Sequence, residues 1–389
     1  MNIWLLEPYY TGSHKVWADQ YIDHSSHKIT IFHLEGRHWK WRMQGAALTL
    51  AGQCNSHYQE TQVKPEWFFI SDMINVAVFK GLLCHDLQAV PIFLYFHENQ
   101  LSYPYQDQDT DSRHARDFHY GFMNFQSILA ADKVAFNSAS QKDAFYRDIT
   151  HLLKRMPDHR CQLELESARS KTFVLPLGLE TSVLNERRPL MSAQDLVARE
   201  DLKGPASKGP LLLWSHRWEH DKNPDLFFKG LETLSAEGLD FQVAILGARS
   251  KRYPEVFDRV KETLGDHILA WGKPQSYEAY VDWLWLADLI PVTSYHETFG
   301  LSVLEAAYCH TDLLLPDRLS YPELYDPQAN KDWFYKKDGD FIPALRRAIG
   351  SHGSEGQKKR KASAHERAKA YDWLHTVHLY DAVFLDRSL

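Results

Sequence analysis

Short apolar segments alternate with amphipathic segments of helical length along most of the chain, and this alternation most restricts the possible fold. Strands that alternate with helices predict parallel sheets covered by helices on both faces. The first run of the pattern predicts strands at Ile3–Leu6, Lys28–Phe32, Trp67–Ile70, Pro91–Phe96, Lys133–Phe136 and Thr172–Leu175. Helices are predicted between them, for example at Phe118–Ala131 and Ser140–Met156.

The pattern stops in a segment rich in glycine, proline and charge, and then begins again. Such a composition is typical of a linker, here 186–209. The second run predicts strands at Leu211–Trp214, Phe241–Leu246, His267–Ala270, Leu289–Val292 and Asp312–Leu315, and helices at Asp225–Ala236, Glu255–Leu264, Tyr277–Leu286 and Gly300–Tyr308. The sequence therefore predicts an α/β protein with two Rossmann-like domains, 1–185 and 210–370, that face each other across a cleft. We expect the C-terminal helix, 371–389, to pack back on the first domain.

Composition excludes several classes of protein. The 389 residues are 44% hydrophobic and 24% charged, which argues against disorder and fibrous repeats. The net charge of −7 argues against non-specific coating of nucleic acid. The four cysteines form no CxxC pair, so we expect free thiols in a reducing compartment. Because no apolar run has the ~18 residues of a membrane span and the start turns polar after Leu6, we expect a soluble cytoplasmic protein.

The loop after the predicted strand Leu289–Val292 combines two carboxylates with a helix start. Glu297 precedes Gly300, where a helix is predicted to begin, and Glu305 follows about one and a half turns later. A helix N-terminus favours phosphate, and carboxylates on either side of it can accept hydrogen bonds from hydroxyl groups. A nucleotide sugar has this layout of sugar hydroxyls, diphosphate and ribose hydroxyls. A capped helix with a solvated glutamate is the structural alternative.

A second candidate group follows the predicted strand Leu211–Trp214. Arg217 and Lys222 lie in a loop that ends before a helix. Their expected task is to neutralise a diphosphate as it leaves. The alternative is a pair of surface cations beside Glu219 and Asp221.

Together, the two candidate groups resemble the donor site of the family-4-like retaining glycosyltransferases, which have the GT-B fold. The resemblance rests on the order and spacing of Arg217, Lys222, Glu297 and Glu305. A narrower resemblance rests on four motifs. They are Glu7–Lys15, Arg37–Arg42, Tyr95–Pro104 and Arg116–Gly121. These motifs are similar to those of the glycosyltransferase group that includes the tRNA-queuosine α-mannosyltransferases. The resemblance implies transfer of mannose from GDP-mannose to the queuosine base of tRNA-Asp with retention of configuration. Because the sequence has no apolar run of membrane-spanning length, we expect no membrane partner.

The resemblance also implies roles for individual residues. Glu297 would accept from mannose hydroxyls and Glu305 from the ribose, and His97 would contact the transferred sugar. The predicted catalytic residues are His97, Glu297, Arg217 and Lys222. The predicted donor-binding residues are Gly12, Asn137, Arg217, Lys222, Glu297, Thr298, Phe299, Gly300, Leu301 and Glu305. The predicted acceptor-binding residues are His14, Lys15, Arg37, Trp39, Lys40, Trp41, Arg42, Glu98 and Asn99.

Two basic regions are candidates for contact with RNA. The segment 37–42 alternates cations with indoles, which suit phosphates and bases respectively, although the indoles could instead pack on the core. The segment 335–369 has ten basic and four acidic residues, which fits either an RNA footprint or a solvated helix face.

We expect no cofactor and no essential metal. The two D-x-D patterns at 107–111 are interpreted as a solvated loop, and the histidines show neither H-E-x-x-H spacing nor a cysteine partner. Two other functions stay open: a hexosyltransferase for a lipid or glycan acceptor, and a non-catalytic RNA- or nucleotide-binding protein on a GT-B scaffold. The residues alone also leave open the base and sugar of the donor, the acceptor and the oligomeric state.

Overall fold

The structure is a computed structural model that describes residues 1–102, 118–188, 209–249 and 253–385. The chain divides into two compact units. The first consists of Met1–Gly178 and Trp373–Leu389, and the second of Leu179–Asp372. Within the described residues, no helix is both long and apolar enough to cross a membrane.

The first unit contains a parallel sheet of six strands in the order β2-β1-β3-β4-β5-β6. The strands are β1 (Asn2–Tyr10), β2 (Lys28–Glu35), β3 (Trp67–Ser71), β4 (Ile92–Phe96), β5 (Lys133–Phe136) and β6 (Thr172–Val174). The helices are α1 (Gly12–His24), α2 (Trp39–Thr61), α3 (Val76–Leu82), α4 (His85–Gln88), α5 (Phe118–Ala130), α6 (Ala139–Lys154) and α7 (Gln162–Ser170). The strand order reverses between β1 and β3, and ligands of such sheets bind at this switch point, beyond the carboxyl ends of the strands.

The second unit repeats this architecture with the order β12-β11-β10-β7-β8-β9. Its strands are β7 (Leu211–Ser215), β8 (Gln242–Leu246), β9 (Ile268–Gly272), β10 (Leu289–Pro291), β11 (Asp312–Pro316) and β12 (Phe334–Tyr335). Its helices are α8 (Thr181–Arg187), α9 (Pro224–Ala236), α10 (Val256–Thr263), α11 (Tyr277–Leu286), α12 (Leu301–Tyr308), α13 (Tyr321–Tyr325), α14 (Asp338–Gly350) and α15 (Glu355–Lys369). Here the switch point lies between β7 and β10, so the loops after these two strands are neighbours.

The side chains of β1 explain why the first sheet is covered on both faces. Trp4 and Leu6 belong to one buried apolar cluster, whereas Ile3 and Leu5 belong to another. Successive side chains of a strand point to opposite faces, so each strand supplies two cores.

The last helix, α16 (Trp373–Leu385), completes the second of these cores. Tyr380 accepts a hydrogen bond from Trp17 Nε1 at 3.2 Å and donates to the hydroxyl of Tyr95 at 2.9 Å. Lys133 Nζ donates to the carbonyl of Val383 at 2.8 Å. The C-terminal segment therefore lies on the first unit although it follows the second in the chain.

The structure draws the boundary between the units at Gly178 and Leu179, a few residues before 185. The difference arises because α8 packs in the second unit, where the Trp285 indole donates to the carbonyl of Leu184 at 3.0 Å. Most of the predicted linker, 189–208, and the D-x-D loop at 107–111 lie outside the described residues. The four cysteines are free thiols.

Candidate active site

A buried ion pair occupies the switch point of the second unit. Lys222 ends a short 3-10 turn after β7, and its Nζ lies 3.4 Å from Glu297 Oε2 and 3.2 Å from Asp221 Oδ2. Nζ also donates to the carbonyl of His296 at 2.6 Å. Burial alone would lower the pKa of Lys222, but the carboxylates of Glu297 and Asp221 raise it above its usual value.

The same pairing acts on the carboxylate. Burial by itself would raise the pKa of Glu297, but the nearby Lys222 ammonium lowers it to about 2. Both groups are therefore charged at neutral pH. The site presents a fixed carboxylate acceptor directly beside a fixed ammonium, as expected for a group that binds sugar hydroxyls beside a diphosphate.

Neighbouring strand ends hold the loop that carries Glu297. Thr293 Oγ1 donates to the carbonyl of Lys222 at 2.9 Å, which ties the two loops together. Arg318 donates to the carbonyls of Thr293 and Ser294, both at 3.0 Å. Each of these contacts fixes backbone at the carboxyl edge of the sheet, so the loop is preorganised.

Gly300 makes the turn into α12. Its φ is +99°, a conformation that side chains rarely adopt, and a Cβ there would lie 3.1 Å from the Tyr321 ring. As the N-cap residue, Gly300 has no side chain to cover the first N–H groups of the helix. These groups and the partial positive charge of the helix end suit a phosphate, as the sequence predicts.

Glu305 is held by two tyrosines that sequence reasoning missed. Tyr277 donates to Oε1 at 2.7 Å and Tyr280 to Oε2 at 2.9 Å, both from α11. The Tyr280 hydroxyl also lies 2.9 Å from Ser215 Oγ at the end of β7. Burial raises the pKa of Glu305, and the two hydroxyl donors partly offset this rise. The sequence did offer one signal: the two tyrosines are three residues apart on a predicted helix and therefore lie on the same face.

Arg217 and Lys222 occupy different environments. The Arg217 side chain is 57% exposed and pairs with Glu219 Oε1 at 3.2 Å, whereas Lys222 is buried. His216 directly precedes Arg217, and sequence reasoning also missed its buried ring. Burial and the charge of Lys222 lower the pKa of His216 to about 4, so the imidazole is neutral at pH 7.

In the first unit, three buried side chains come together: Glu7 in β1, His14 in α1 and His97 directly after β4. The His14 ring, on α1, donates from Nδ1 to Glu7, with both carboxylate oxygens at 3.3 Å. The rings of His14 and His97 have centroids 4.3 Å apart. Burial lowers the pKa of His14, but the carboxylates of Glu7 and Asp72 raise it to about 9, so this imidazole is charged.

The His97 ring, in contrast to that of His14, is neutral. Burial and the charged His14 lower its pKa well below the usual value. Its backbone is fixed on both sides: its N–H donates to Asp72 Oδ1 at 3.2 Å, and its carbonyl accepts from Asn137 Nδ2 at 2.9 Å. Among the described residues, no group lies within hydrogen-bonding distance of His97 Nε2. A fixed neutral imidazole with an unused nitrogen suits contact with a hydroxyl group.

Other predicted residues of this unit have local structural tasks. Asn99 Oδ1 accepts from the backbone N–H groups of Leu101 and Ser102, at 3.1 and 3.0 Å, and so shapes its own loop. The side chain of Glu98 accepts from Gln100 Nε2 at 3.1 Å. Gly12 has a φ of +52°, and a Cβ there would have no atom within 4 Å, so space remains above the turn.

Comparison with known proteins identifies the family. Residues 2–179 match the family described as tRNA-queuosine alpha-mannosyltransferase N-terminal, and residues 199–373 match glycosyl transferases group 1. A tRNA-queuosine alpha-mannosyltransferase of Drosophila melanogaster is 34% identical over 333 residues, which are 85% of this chain and 82% of that protein. The chain belongs to the tRNA-queuosine alpha-mannosyltransferase family. It is a glycosyltransferase.

A more distant relative matches a smaller part of the transferase. A D-inositol 3-phosphate glycosyltransferase of Xylanimonas cellulosilytica is 30% identical over 150 residues, 37% of this chain and 34% of that protein.

Solved structures show the fold. A glycosyltransferase of Rickettsia africae superposes with a TM-score of 0.68 at 15% identity, over 100% of this chain and 99% of that one. A sucrose-phosphate synthase of Thermosynechococcus elongatus gives 0.71 at 14% identity, with 99% of each chain covered. The predicted GT-B fold with two Rossmann-like domains and the resemblance that implied it are confirmed.

The basic segment of the transferase that begins at Arg37 divides into buried and exposed parts. Trp39 packs with a buried cluster of Met43, Met73 and Met123, as the structural alternative predicted. Trp41 is 64% exposed. Its ring packs closely over Gly45, where an added Cβ would lie only 2.9 Å from the ring. The ring is therefore supported by the helix backbone on one side and open to solvent.

The cations of this segment also divide into side chains bound to the protein and side chains exposed to solvent. Arg42 donates from Nε and Nη2 to the carbonyl of Glu35, at 3.1 and 3.0 Å, and so ties α2 to the end of β2. Arg37 is 72% exposed and pairs with the Glu35 side chain at 3.1 Å. Lys40 lies over the Trp39 ring, 5.6 Å from its centroid. Outside this segment, the predicted acceptor residue Lys15 pairs with Asp19 on α1.

Acidic residues of the second unit neutralise much of the other basic region, 335–369. Arg360 pairs with buried Asp312 at 2.7 Å, and Lys361 pairs with buried Asp288 at 3.1 Å. Further ion pairs join Arg346 to Glu237, Lys358 to Glu355, Arg367 to Asp326 and Lys369 to Glu366. These pairs favour a solvated, structurally engaged helix face over an RNA footprint.

Proposed function

We propose that this transferase moves mannose from GDP-mannose to the queuosine base of tRNA-Asp with retention of configuration. The observation that carries the proposal is the buried Lys222–Glu297 pair at the switch point of the second unit, 3.4 Å between Nζ and Oε2. Family membership supports the same acceptor, because the Drosophila relative is a tRNA-queuosine alpha-mannosyltransferase.

In this proposal the second unit binds the donor. Lys222 and Arg217 neutralise the diphosphate, and the N–H groups of Phe299, Gly300 and Leu301 donate to it. Glu297 accepts from mannose hydroxyls. Glu305, oriented by its tyrosines, accepts from the ribose.

The first unit binds the acceptor and contributes His97 to the transferred sugar. Asn137 fixes the backbone of His97, and the turn at Gly12 leaves space for substrate. Trp41, with Arg37 and Lys40, offers an exposed indole and cations for the tRNA.

The reaction breaks the bond between mannose C1 and the donor phosphate oxygen and forms a bond from C1 to a queuosine hydroxyl oxygen. GDP leaves with the electron pair of the broken bond. Its phosphate oxygen takes the acceptor proton on the face from which it departs, which accounts for retention. The cations of the second unit stabilise the charge on GDP, and we propose that transfer requires no metal. The free thiols fit a cytoplasmic enzyme.

Ligand-induced stabilisation tests the donor. The full chain is melted with GDP, UDP or ADP, each alone and as its sugar conjugate. A ligand at 100 times its Kd stabilises by about 2.7 kcal/mol, so GDP and GDP-mannose should raise the melting temperature selectively. Glu297→Gln should reduce the shift with GDP-mannose, whereas Glu262→Gln, an exposed matched control on α10, should not.

The same experiment separates the alternatives. A selective shift with UDP would contradict GDP-mannose as donor and favour a hexosyltransferase with another acceptor. The absence of any shift would favour a non-catalytic scaffold.

A further inference from the structure

Glu7, His14 and His97 bring three metal-binding atoms together inside the first unit. All three side chains are buried, and one potential ligand atom from each lies within 4.8 Å of the others. Among the described residues, this is the only set of three His, Cys, Asp or Glu side chains that meets this condition. The residues come from three elements: Glu7 from β1, His14 from α1 and His97 from the end of β4.

The separation between the Glu7 and His14 ligand atoms suits tetrahedral coordination. Two ligands about 2.0–2.1 Å from a Zn²⁺ ion are separated by about 3.3–3.4 Å at the tetrahedral angle. His14 Nδ1 lies 3.3 Å from Glu7 Oε1. His97 is 7% exposed and its Nε2 has no partner among the described residues, so the third ligand is buried and available. The Glu7–His14 ion pair gives each of these two buried side chains a partner, but it gives none to His97 Nε2.

Surrounding groups hold the ligands as the outer shell of a metal site does. Ser71 Oγ donates to Glu7 Oε2 at 2.7 Å, and the Tyr9 N–H donates to Glu7 Oε1 at 2.7 Å. The Asp72 carboxylate accepts from the backbone N–H of His97 at 3.2 Å. One carboxylate and two imidazoles are the ligands of many three-residue zinc sites, with a fourth position left for solvent or substrate.

We propose that Glu7, His14 and His97 bind a divalent transition metal ion, with zinc as the best match. The ion replaces the proton on His14 Nδ1, which is released to solvent. The ion is not part of the transfer reaction. One consequence rests on the proposed function, in which His97 contacts the transferred sugar. Because bound zinc occupies the His97 nitrogen, zinc inhibits transfer.

Direct binding of Zn²⁺ and Co²⁺ to the full chain tests this proposal without any substrate. Equilibrium dialysis in a thiol-free reductant should give one tight equivalent of Zn²⁺. Co²⁺ should give the visible absorption of a four-coordinate ion with nitrogen and oxygen ligands. His97→Gln and His14→Gln should each weaken binding by more than about tenfold, and Ser71→Ala by about tenfold.

Two controls exclude other ligands. His375→Gln, at an exposed histidine of α16, should keep the full equivalent. Cys84→Ser combined with Cys161→Ser should also keep it, because these half-buried thiols lie outside the set. Circular dichroism melts verify that each variant is folded.

Three results would overturn the proposal: no binding below millimolar Zn²⁺, a stoichiometry that His97→Gln leaves unchanged, or loss of binding only in the cysteine variant. Each would mean that Glu7, His14 and His97 form no metal site and that any ion bound elsewhere is adventitious. Because no donor or tRNA is present, these outcomes are independent of whether the transferase proposal holds.

Discussion

Replacing Glu297 by glutamine should destabilise the second unit by about 3 kcal/mol at neutral pH. The ordinary pKa of 4.5 falls to about 2 in the folded protein, and each pKa unit corresponds to about 1.36 kcal/mol. The variant leaves the Lys222 ammonium buried with Asp221 at 3.2 Å as its remaining carboxylate partner. Breaking a buried ion pair generally costs about 3–5 kcal/mol, and the retained Asp221 places this loss at the lower end.

The pH dependence of this effect has a definite sign. A carboxyl whose pKa is lowered by folding stabilises the protein fully above its unfolded pKa, here 4.5, and this contribution is lost as the pH falls towards about 2. The stability difference between the wild type and Glu297→Gln should therefore shrink as the pH falls from 5 to 3.

Hydrogen–deuterium exchange of peptides from β7 and β10 measures this difference locally. Lys222→Met and the double variant complete a thermodynamic cycle, whose coupling should be at least about 1 kcal/mol. Glu262→Gln provides the control. Equal protection of Glu297→Gln and the wild type at pH 7, or additive effects in the cycle, would refute the assigned ion pair.

Three further predictions concern the donor and acceptor residues. Tyr280→Phe removes one hydroxyl from Glu305, a bond worth about 1.5 kcal/mol or more, and should raise KM for the donor about tenfold with little change in kcat. Gly300→Ala should destabilise the turn by about 1–2 kcal/mol and weaken donor binding, because its φ is +99°, as isothermal titration with GDP would measure. Trp41→Ala should keep stability and weaken tRNA binding by about 1–3 kcal/mol in a gel-shift assay. Trp39→Ala should instead lower the free energy of unfolding by about 1–3 kcal/mol, because Trp39 is half-buried against the methionine cluster.

Each of these predictions has an outcome that would contradict it. A KM for Tyr280→Phe equal to that of the wild type would remove Tyr280 from donor positioning. Unchanged GDP affinity in Gly300→Ala would mean that the turn does not approach the donor. Equal effects of the two tryptophan variants on stability and on tRNA binding would mean that exposure does not distinguish their roles.

The strands were predictable because most of them are buried on both faces and therefore read as short continuous apolar runs. Lys133–Phe136 is predicted and observed with the same ends. Phe334–Tyr335 was missed because a two-residue edge strand leaves no pattern of its own. The pairing of Lys222 with Glu297 could be anticipated, since both follow strands that meet at a switch point.

Contacts between distant parts of the chain could not be predicted in the same way. Glu7 is a charged residue inside a strand, and its partners His14 and Ser71 come from two other elements. The different exposure of Trp39 and Trp41 depends on where α2 begins. Once the helix starts at Trp39, that residue shares a face with Met43 four residues later, and Trp41 lies on another face.

Transfer itself tests the central claim most directly. Wild-type protein and Glu297→Gln are incubated with GDP-mannose and tRNA-Asp that carries or lacks queuosine, and the nucleosides are analysed by liquid chromatography and mass spectrometry. The wild type should form α-linked mannosyl-queuosine and release one GDP per product, only on queuosine-bearing tRNA, and Glu297→Gln should form far less. Release of GDP without the modified nucleoside, or modification from a UDP-sugar instead, would contradict the account.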